Sequence, residues 1–371
     1  MLHERQIIAR PVSRGAPVGT VMQHCRPLKI LASPYRETAQ GNPVQSLLYD
    51  AMEKSGVRVA AFSRRRLLGG RWDVWHLHWP LEYVVNKVGA LSIARSLLMF
   101  AVALKVARFK ETKIFWTVHN IRPHERSHAW LEWLFWRLLW PNLNGIICMS
   151  EAGKAELFRR HPRARAVPVF TIPHGHYRGA YPDAIGRDEA RAALDIPAER
   201  FVALFIGQIR AYKGVPDLIR CFADARLDNA GLLVVGKPDA QSARDVQNAA
   251  ARASGVRLAL GFVEREEVQK YLRAADLVVL PYAEILNSGS AILALSFDRP
   301  ILVPAQGALV ELYDIVGSDW VRLYEGALSP GVVREAVQWA KTRPFGPRVR
   351  ARLDALSWDR VAHMTLQAFA K

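Results

Sequence analysis

Eleven short apolar runs recur along this chain, most of them followed by a segment of helical periodicity, and no other feature narrows the fold as much. The runs are LKILAS (28–33), VRVAAF (57–62), VWHLHW (74–79), KIFWTVH (113–119), GIICMS (145–150) and VFTIP (169–173). After a gap come FVALFIG (201–207), AGLLVVG (230–236), VRLALG (256–261), DLVVLPY (276–282) and PILVP (300–304). Hydrophobicity that is continuous rather than alternating predicts strands buried on both faces, as in a parallel sheet covered by helices. Segments such as DLIRCFADAR (217–226) and REEVQKYLRAA (265–275) have the period of such helices. The pattern pauses at about 175–198, where HYRGAYPDAIGRDEARAALDIPAER is rich in turn formers and charge. The expected fold is therefore α/β, with two Rossmann-like domains whose parallel sheets face each other across a cleft. The expected division is a flexible basic leader (1–26), an amino-terminal domain (27–178), a linker (179–198), a carboxy-terminal domain (199–342) and a terminal helical segment (343–371).

Composition limits the partners. The 371 residues carry a formal net charge of +17, a field that favours nucleic acid, an acidic membrane or a phosphorylated substrate. No nucleic-acid-binding signature is found and the basic residues are dispersed, so no nucleic-acid partner is expected. Cys25, Cys148 and Cys221 are few and far apart, which argues against a disulfide framework or a zinc site and fits a reducing cytoplasm. The first residues lack an apolar core of signal-peptide length. No stretch reaches about 18 uncharged apolar residues, so no membrane-spanning helix is expected.

The sharpest local signal is FIGQIRAYKGVPDLI (205–219). A strand ends in Gly207, the loop carries Arg210 and Lys213, and Gly214 precedes a helix. Glycines let backbone approach a ligand, and two cations would offset the charge of a diphosphate. A second signal follows at 276–304, where a strand and polar loop lead to Asn287-Ser288-Gly289-Ser290 at the head of an apolar helix. Free amides at such a helix start bind anions, although Ser288 or Asn287 also suits a plain helix cap. Glu284, at the strand end, is placed to accept hydrogen bonds from sugar hydroxyls. No Asp-x-Asp occurs, so Lys213, Arg210 and helix amides, rather than a metal, are expected to stabilise a diphosphate leaving group. No cofactor is expected.

These segments resemble the GT-B glycosyltransferases. The resemblance rests on the G-x5-K-G loop from Gly207 to Gly214, ADLVVLP (275–281) and RPILVP in the second half. WHLHWP (75–80), TVHN (117–120) and IPHGHY (172–177) carry it in the first half. It extends from about residue 28 to the end, and is strongest towards mannosyltransferases of exopolysaccharide biosynthesis. Such enzymes use GDP-mannose as donor and a polyprenyl-diphosphate-linked oligosaccharide as acceptor. The resemblance implies a donor-binding second domain, an acceptor-binding first domain and an inverting reaction without metal. Two positions depart from the wider retaining pattern. Leu293 stands where a ribose-binding glutamate is usual, leaving Glu311 as a possible substitute, and Gln208 stands where an arginine is usual. The alternatives are a retaining enzyme using another GDP- or UDP-sugar, and a non-catalytic membrane or nucleic-acid-binding protein.

An inverting transfer needs a general base. His119, closing the strand in TVHN, is the first choice and Glu125 the second; His76, His78 and Glu82 are further candidates at strand ends. The matching His in related enzymes lies beside the donor sugar, so a binding role for His119 stays open. His174 and His176 flank Gly175 at the crossing between domains and are read as lining the cleft. Two helices, ALSIARSLLMFAVALKVARFK (90–110) and HAWLEWLFWRLLW (128–140), combine apolar and basic residues. The second sets Trp130, Trp133, Trp136 and Trp140 at helical spacing around Arg137. Trp and basic residues on an amphipathic helix suit an anionic membrane interface. The expected location is peripheral, on the cytoplasmic face of the inner membrane.

Overall fold

A computed structural model describes residues 26–371 except 40, 86, 88, 122–128 and 344–348. The expected leader thus lies almost wholly outside the described residues, as does Glu125. The first sheet contains β1 (Lys29–Ser33), β2 (Arg58–Ala61), β3 (Val74–Leu77), β4 (Lys113–Val118), β5 (Gly145–Cys148) and β6 (Val169–Thr171). The second contains β7 (Phe201–Ile206), β8 (Ala230–Gly236), β9 (Val256–Leu260), β10 (Leu277–Val279), β11 (Ile301–Pro304) and β12 (Val321–Tyr324). All pairings are parallel. Every residue of β3, β5, β7 and β8 is buried, which is why these runs read as unbroken hydrophobicity.

Eleven of the twelve strands coincide with the apolar runs. The twelfth, β12, has the sequence VRLY, short and mixed because it is an edge strand with Arg322 and Leu323 only partly buried. The orders are β2-β1-β3-β4-β5-β6 and β12-β11-β10-β7-β8-β9. Each sheet therefore has a switch point, β1/β3 in the first and β7/β10 in the second, where successive crossovers diverge and leave a crevice at the strand carboxyl ends.

Residues 179–198 do not hang free between the lobes. Helix Arg187–Ala192 is pinned to the second lobe by the buried Arg191. Its guanidinium donates to Asp276 Oδ2 at 2.7 Å and to the carbonyls of Ala198 and Arg200 at 2.6 and 2.7 Å. Asp276 also accepts the amide of Val202 at 2.7 Å, so the buried guanidinium and the buried carboxylate are both satisfied. The terminal helix Trp358–Ala370 returns to the first lobe, where Val361, Ala362 and Phe369 join the core beneath β1 and β4. Lys113 Nζ donates to the carbonyl of Phe369 at 3.2 Å, and the Phe115 and Phe369 rings meet edge-on at 4.8 Å.

Candidate functional site

The second lobe's switch point brings the two phosphate-type segments together. Gly207 ends β7 with φ +141°, and a Cβ there would lie 2.7 Å from Ser290 Oγ. Gly236, ending β8, crosses so close that a Cβ would lie 1.8 Å from the Gly207 carbonyl oxygen. Gly214 opens helix Val215–Asp224 at φ +64°, and its Cβ would lie 2.3 Å from the carbonyl oxygen of Pro281. Only glycine meets both conditions at 214. The amide of Ala283 donates to the Tyr212 carbonyl at 2.9 Å, fixing the 207–214 loop to the 281–290 loop.

Lys213 lies above the buried Tyr282, with Nζ 4.5 Å from the ring centroid and 3.4 Å from the hydroxyl. Ser288 Oγ donates to the same hydroxyl at 3.2 Å and accepts the amide of Ala291 at 3.1 Å. Ser288 is thus the cap of helix Gly289–Ser296 and also part of the base on which Lys213 rests. Lys213 has no carboxylate partner among the described residues, so its charge is open to an incoming anion. Arg210 is placed otherwise than expected. Its Nη1 donates to the carbonyls of Ile209 and Lys237 at 2.8 and 3.2 Å, and its Nε lies 3.8 Å from Asp239. The guanidinium is held at the β8 side by these acceptors, whereas Lys213 rests on Tyr282. Glu284 is exposed on the loop, without a hydrogen bond or ion pair to a described residue.

Across the cleft, Asn287 Nδ2 donates to the backbone carbonyl of His119 at 3.3 Å. His119 ends a buried chain of hydrogen bonds. Its Nε2 lies 2.8 Å from His78 Nδ1, and His78 Nε2 lies 2.7 Å from the Tyr49 hydroxyl. That hydroxyl is 2.9 Å from His76 Nδ1, and His76 Nε2 is 2.7 Å from Thr117 Oγ1. Each neutral imidazole has one N–H and the phenol one O–H, so the tautomers set the direction of each bond, and Nδ1 of His119 is the one ring nitrogen of the three histidines left outside the chain. Burial lowers His76 and His119 to about 3, and lowers His78 well below the ordinary value with help from the neighbouring His76. Trp79 stacks on His119 with centroids 4.4 Å apart. A base must accept charge, and this surrounding disfavours charge on His119. The arrangement suits a neutral imidazole that hydrogen-bonds a ligand better than one that takes up a proton. Of the two roles left open for His119, this geometry favours binding over proton abstraction.

The other expected cleft residues separate. His174 lines a cavity of about 190 Å³ between the lobes, together with Asn287, Ser288 and Glu311. Burial keeps its pKa low, and its Nδ1 lies 2.7 Å from the Gly175 carbonyl. His176 instead serves the chain crossing. Its amide donates to the Leu356 carbonyl at 2.9 Å and its own carbonyl accepts Trp358 Nε1 at 2.6 Å. Glu311 spans the lobes, accepting the amides of Glu151 and Ala152 at 3.0 and 2.8 Å. It caps helix Glu151–Arg160 rather than standing free for a ribose.

The tryptophan stripe also divides. Trp130 and Trp133 are 59% and 60% exposed, with Arg137 5.2 Å above the Trp133 ring. Trp136 and Trp140 turn inward and stack on each other at 5.3 Å beside Trp116, so these two are core. Helix Ala90–Phe109 is long and apolar enough to cross a membrane, by length and composition, which the sequence reading did not expect. Its Leu91, Leu98, Val102 and Phe109 are exposed, Leu91 and Phe109 by 85% and 88%.

Sequence reasoning missed Tyr49, which sits in helix Val44–Lys54 without any local motif. The alternate positions of His76, on β3, and His78, just beyond it, are the signal that points to it, since both side chains need one buried partner.

Residues 186–291 match the family described as Glycosyl transferases group 1. The chain is 30% identical over 370 residues to the GDP-mannose:glycolipid 4-beta-D-mannosyltransferase of Xanthomonas campestris pv. campestris, covering 97% of this chain and 95% of that protein. It is 31% identical over 177 residues to a D-inositol 3-phosphate glycosyltransferase of Mycobacterium sp. (strain KMS), covering 42% and 39% of the two chains. Among solved structures it resembles Anabaena HepE in complex with UDP-glucose, with TM-score 0.59, 14% identity and 92% and 98% coverage. Sucrose-phosphate synthase from Thermosynechococcus elongatus gives TM-score 0.59, 16% identity and 93% and 94% coverage. With two Rossmann-like lobes, a donor-type loop at the second switch point and a relative matching nearly end to end, the chain belongs to the GT-B glycosyltransferases and is a glycosyltransferase of group 1.

Proposed function

We propose that this enzyme transfers mannose from GDP-mannose to a polyprenyl-diphosphate-linked oligosaccharide in exopolysaccharide biosynthesis. The observation that carries the reading is the 30% identity, spread over 97% of the chain, to a GDP-mannose:glycolipid mannosyltransferase. In this reading the nucleoside diphosphate leaves from Lys213 and the amides opening helix Gly289–Ser296, without a metal. His119 hydrogen-bonds the donor sugar as a neutral imidazole. The base for an inverting step is a carboxylate of the first lobe, and Glu82, one turn beyond the Trp79–His119 stack, takes that role.

The membrane reading is supported by the distribution of exposed apolar side chains. Leu68, Leu91, Leu98, Val102, Phe109, Trp130 and Trp133 all belong to three helices of the first lobe. With Arg137 beside Trp133 they suit an anionic cytoplasmic leaflet of the inner membrane, where the enzyme sits peripherally.

Transfer of radiolabelled sugar from a panel of GDP- and UDP-sugars to lipid-linked oligosaccharide in membranes tests the whole. Label should pass from GDP-mannose, in the presence of EDTA, into a β-linked product. Selective use of a UDP-sugar, or an α-linked product, would overturn the donor or the stereochemistry respectively.

A further inference from the structure

A cavity of about 550 Å³ opens at the switch point of the first sheet, between Ser33 at the end of β1 and Trp79 just after β3. This is where an open parallel sheet offers its ligand crevice. Phe62, Tyr83 and Phe100 give it apolar walls. Arg64, Lys87 and Arg95 bring three exposed cations to it. None of the three has an ion pair or hydrogen bond from its side chain to a described residue. Two carboxylates, Glu37 and Glu82, share the lining, but Glu37 already accepts the amide of Tyr35 at 2.6 Å and Glu82 is also engaged. Both carboxylates keep their negative charge, so the three cations exceed them by one, in a concave site that also offers the hydroxyls of Ser33, Thr38 and Ser96.

The wall formed by helix Ala90–Phe109 adds a second observation. At 100° per residue, Leu91, Leu98, Val102 and Phe109 fall on one outward stripe, and all four are exposed. Met99 and Ala103, which line the cavity, fall on the adjoining stripe. Arg95 belongs to both, four residues after Leu91 and four before Met99. A guanidinium therefore stands at the border between an apolar ridge facing outward and the cavity at the switch point.

We propose that the ridge, the three cations and the cavity form one subsite for an amphiphile whose charged group is a diphosphate. The isoprenoid tail lies along Leu91, Leu98 and Val102. The diphosphate sits among Arg95, Lys87 and Arg64. The sugar attached to it enters the cavity towards Trp79, which stacks on His119. The subsite rests on the reading of the acceptor as lipid-linked, and gives that acceptor its address on this chain.

Farnesyl diphosphate binding, measured on the full chain by tryptophan fluorescence, tests it. Charge reversal of the three exposed cations (Arg64→Glu, Lys87→Glu, Arg95→Glu) should weaken farnesyl diphosphate binding about tenfold or more. Leu91→Ser with Leu98→Ser should weaken it comparably while leaving inorganic pyrophosphate binding unchanged. GDP affinity should stay at its wild-type value in both variants, because Lys213 is in the other lobe. Unchanged farnesyl diphosphate affinity in either variant would overturn the subsite even if GDP binding and sugar transfer persist. Loss of that affinity in Lys213→Ala, or displacement by GDP, would place the lipid diphosphate in the second lobe and overturn it as well. Binding to phosphatidylglycerol-containing vesicles that farnesyl diphosphate does not compete with would assign the cations to bilayer headgroups instead. Failure of the transferase reading itself would appear separately, as absence of GDP binding.

Discussion

Acidification offers the most direct test of the buried histidine chain. His76 is fully buried and its pKa is lowered from 6.5 to about 3 by burial; His119 is lowered to the same value. In the unfolded chain both imidazoles bind a proton near 6.5, whereas in the folded protein they do not, so the unfolded state binds more protons as the pH falls. Stability is full above about 6.5 and is lost as the pH drops towards 3. At about pH 5 each histidine has shifted the balance towards unfolding by about 2 kcal/mol, and the pair by about 4 kcal/mol. That is a large share of a net stability of about 5–15 kcal/mol. The window is favourable because carboxylates such as Glu156, lowered to about 2 by Arg159 and Arg160, titrate below it. Urea unfolding followed between about pH 7.5 and pH 5 should show the unfolding free energy falling, with each histidine adding a slope approaching 1.4 kcal/mol per pH unit. His76→Gln should remove one histidine's share of the slope. A wild-type fall below about 1 kcal/mol across this range, or an unchanged slope in His76→Gln, would refute the neutral chain.

Four further outcomes are expected. Lys213→Ala should lower turnover by roughly 10²–10³-fold with the fold intact, and near-normal turnover would reject its role on the leaving group. Gly214→Ala, which needs φ +64° and a Cβ 2.3 Å from the Pro281 carbonyl oxygen, should lose at least about 1–2 kcal/mol in thermal unfolding and weaken GDP binding. Asp276→Ala leaves the buried Arg191 guanidinium without its carboxylate and should cost about 3–5 kcal/mol in chemical unfolding; a loss under about 1 kcal/mol would contradict the pairing. Trp130→Ser with Trp133→Ser should release the protein from anionic liposomes, and unchanged co-sedimentation would reject the interface.

The parallel sheets were legible because strands such as FVALFI and LVV are buried on both sides and leave no polar alternation to obscure them. β12 was not, because an edge strand keeps only one neighbour and tolerates Arg322. At the donor loop, glycines and a lysine announce themselves locally, since backbone strain at Gly214 is a property of a few adjacent residues. The direction taken by Arg210 is not local: it depends on Asp239 and the Lys237 carbonyl, in the turn after β8 about thirty residues away in sequence. The same holds for the stripe of tryptophans. Helical spacing identifies the period, but only the position of Trp116 beneath the helix decides that Trp136 and Trp140 face in while Trp130 and Trp133 face out.

The return of helix Trp358–Ala370 to the first lobe has a consequence for how the molecule is made. The core beneath β1 and β4 lacks Val361 and Phe369 until residues 358–370 have been synthesised, long after the strands they cover. The first lobe therefore cannot complete its interior until the whole of the second lobe has been made. Any rotation between the lobes must also bend the backbone at two crossings together, near Tyr177 and near Leu356, which ties their relative motion to a single axis.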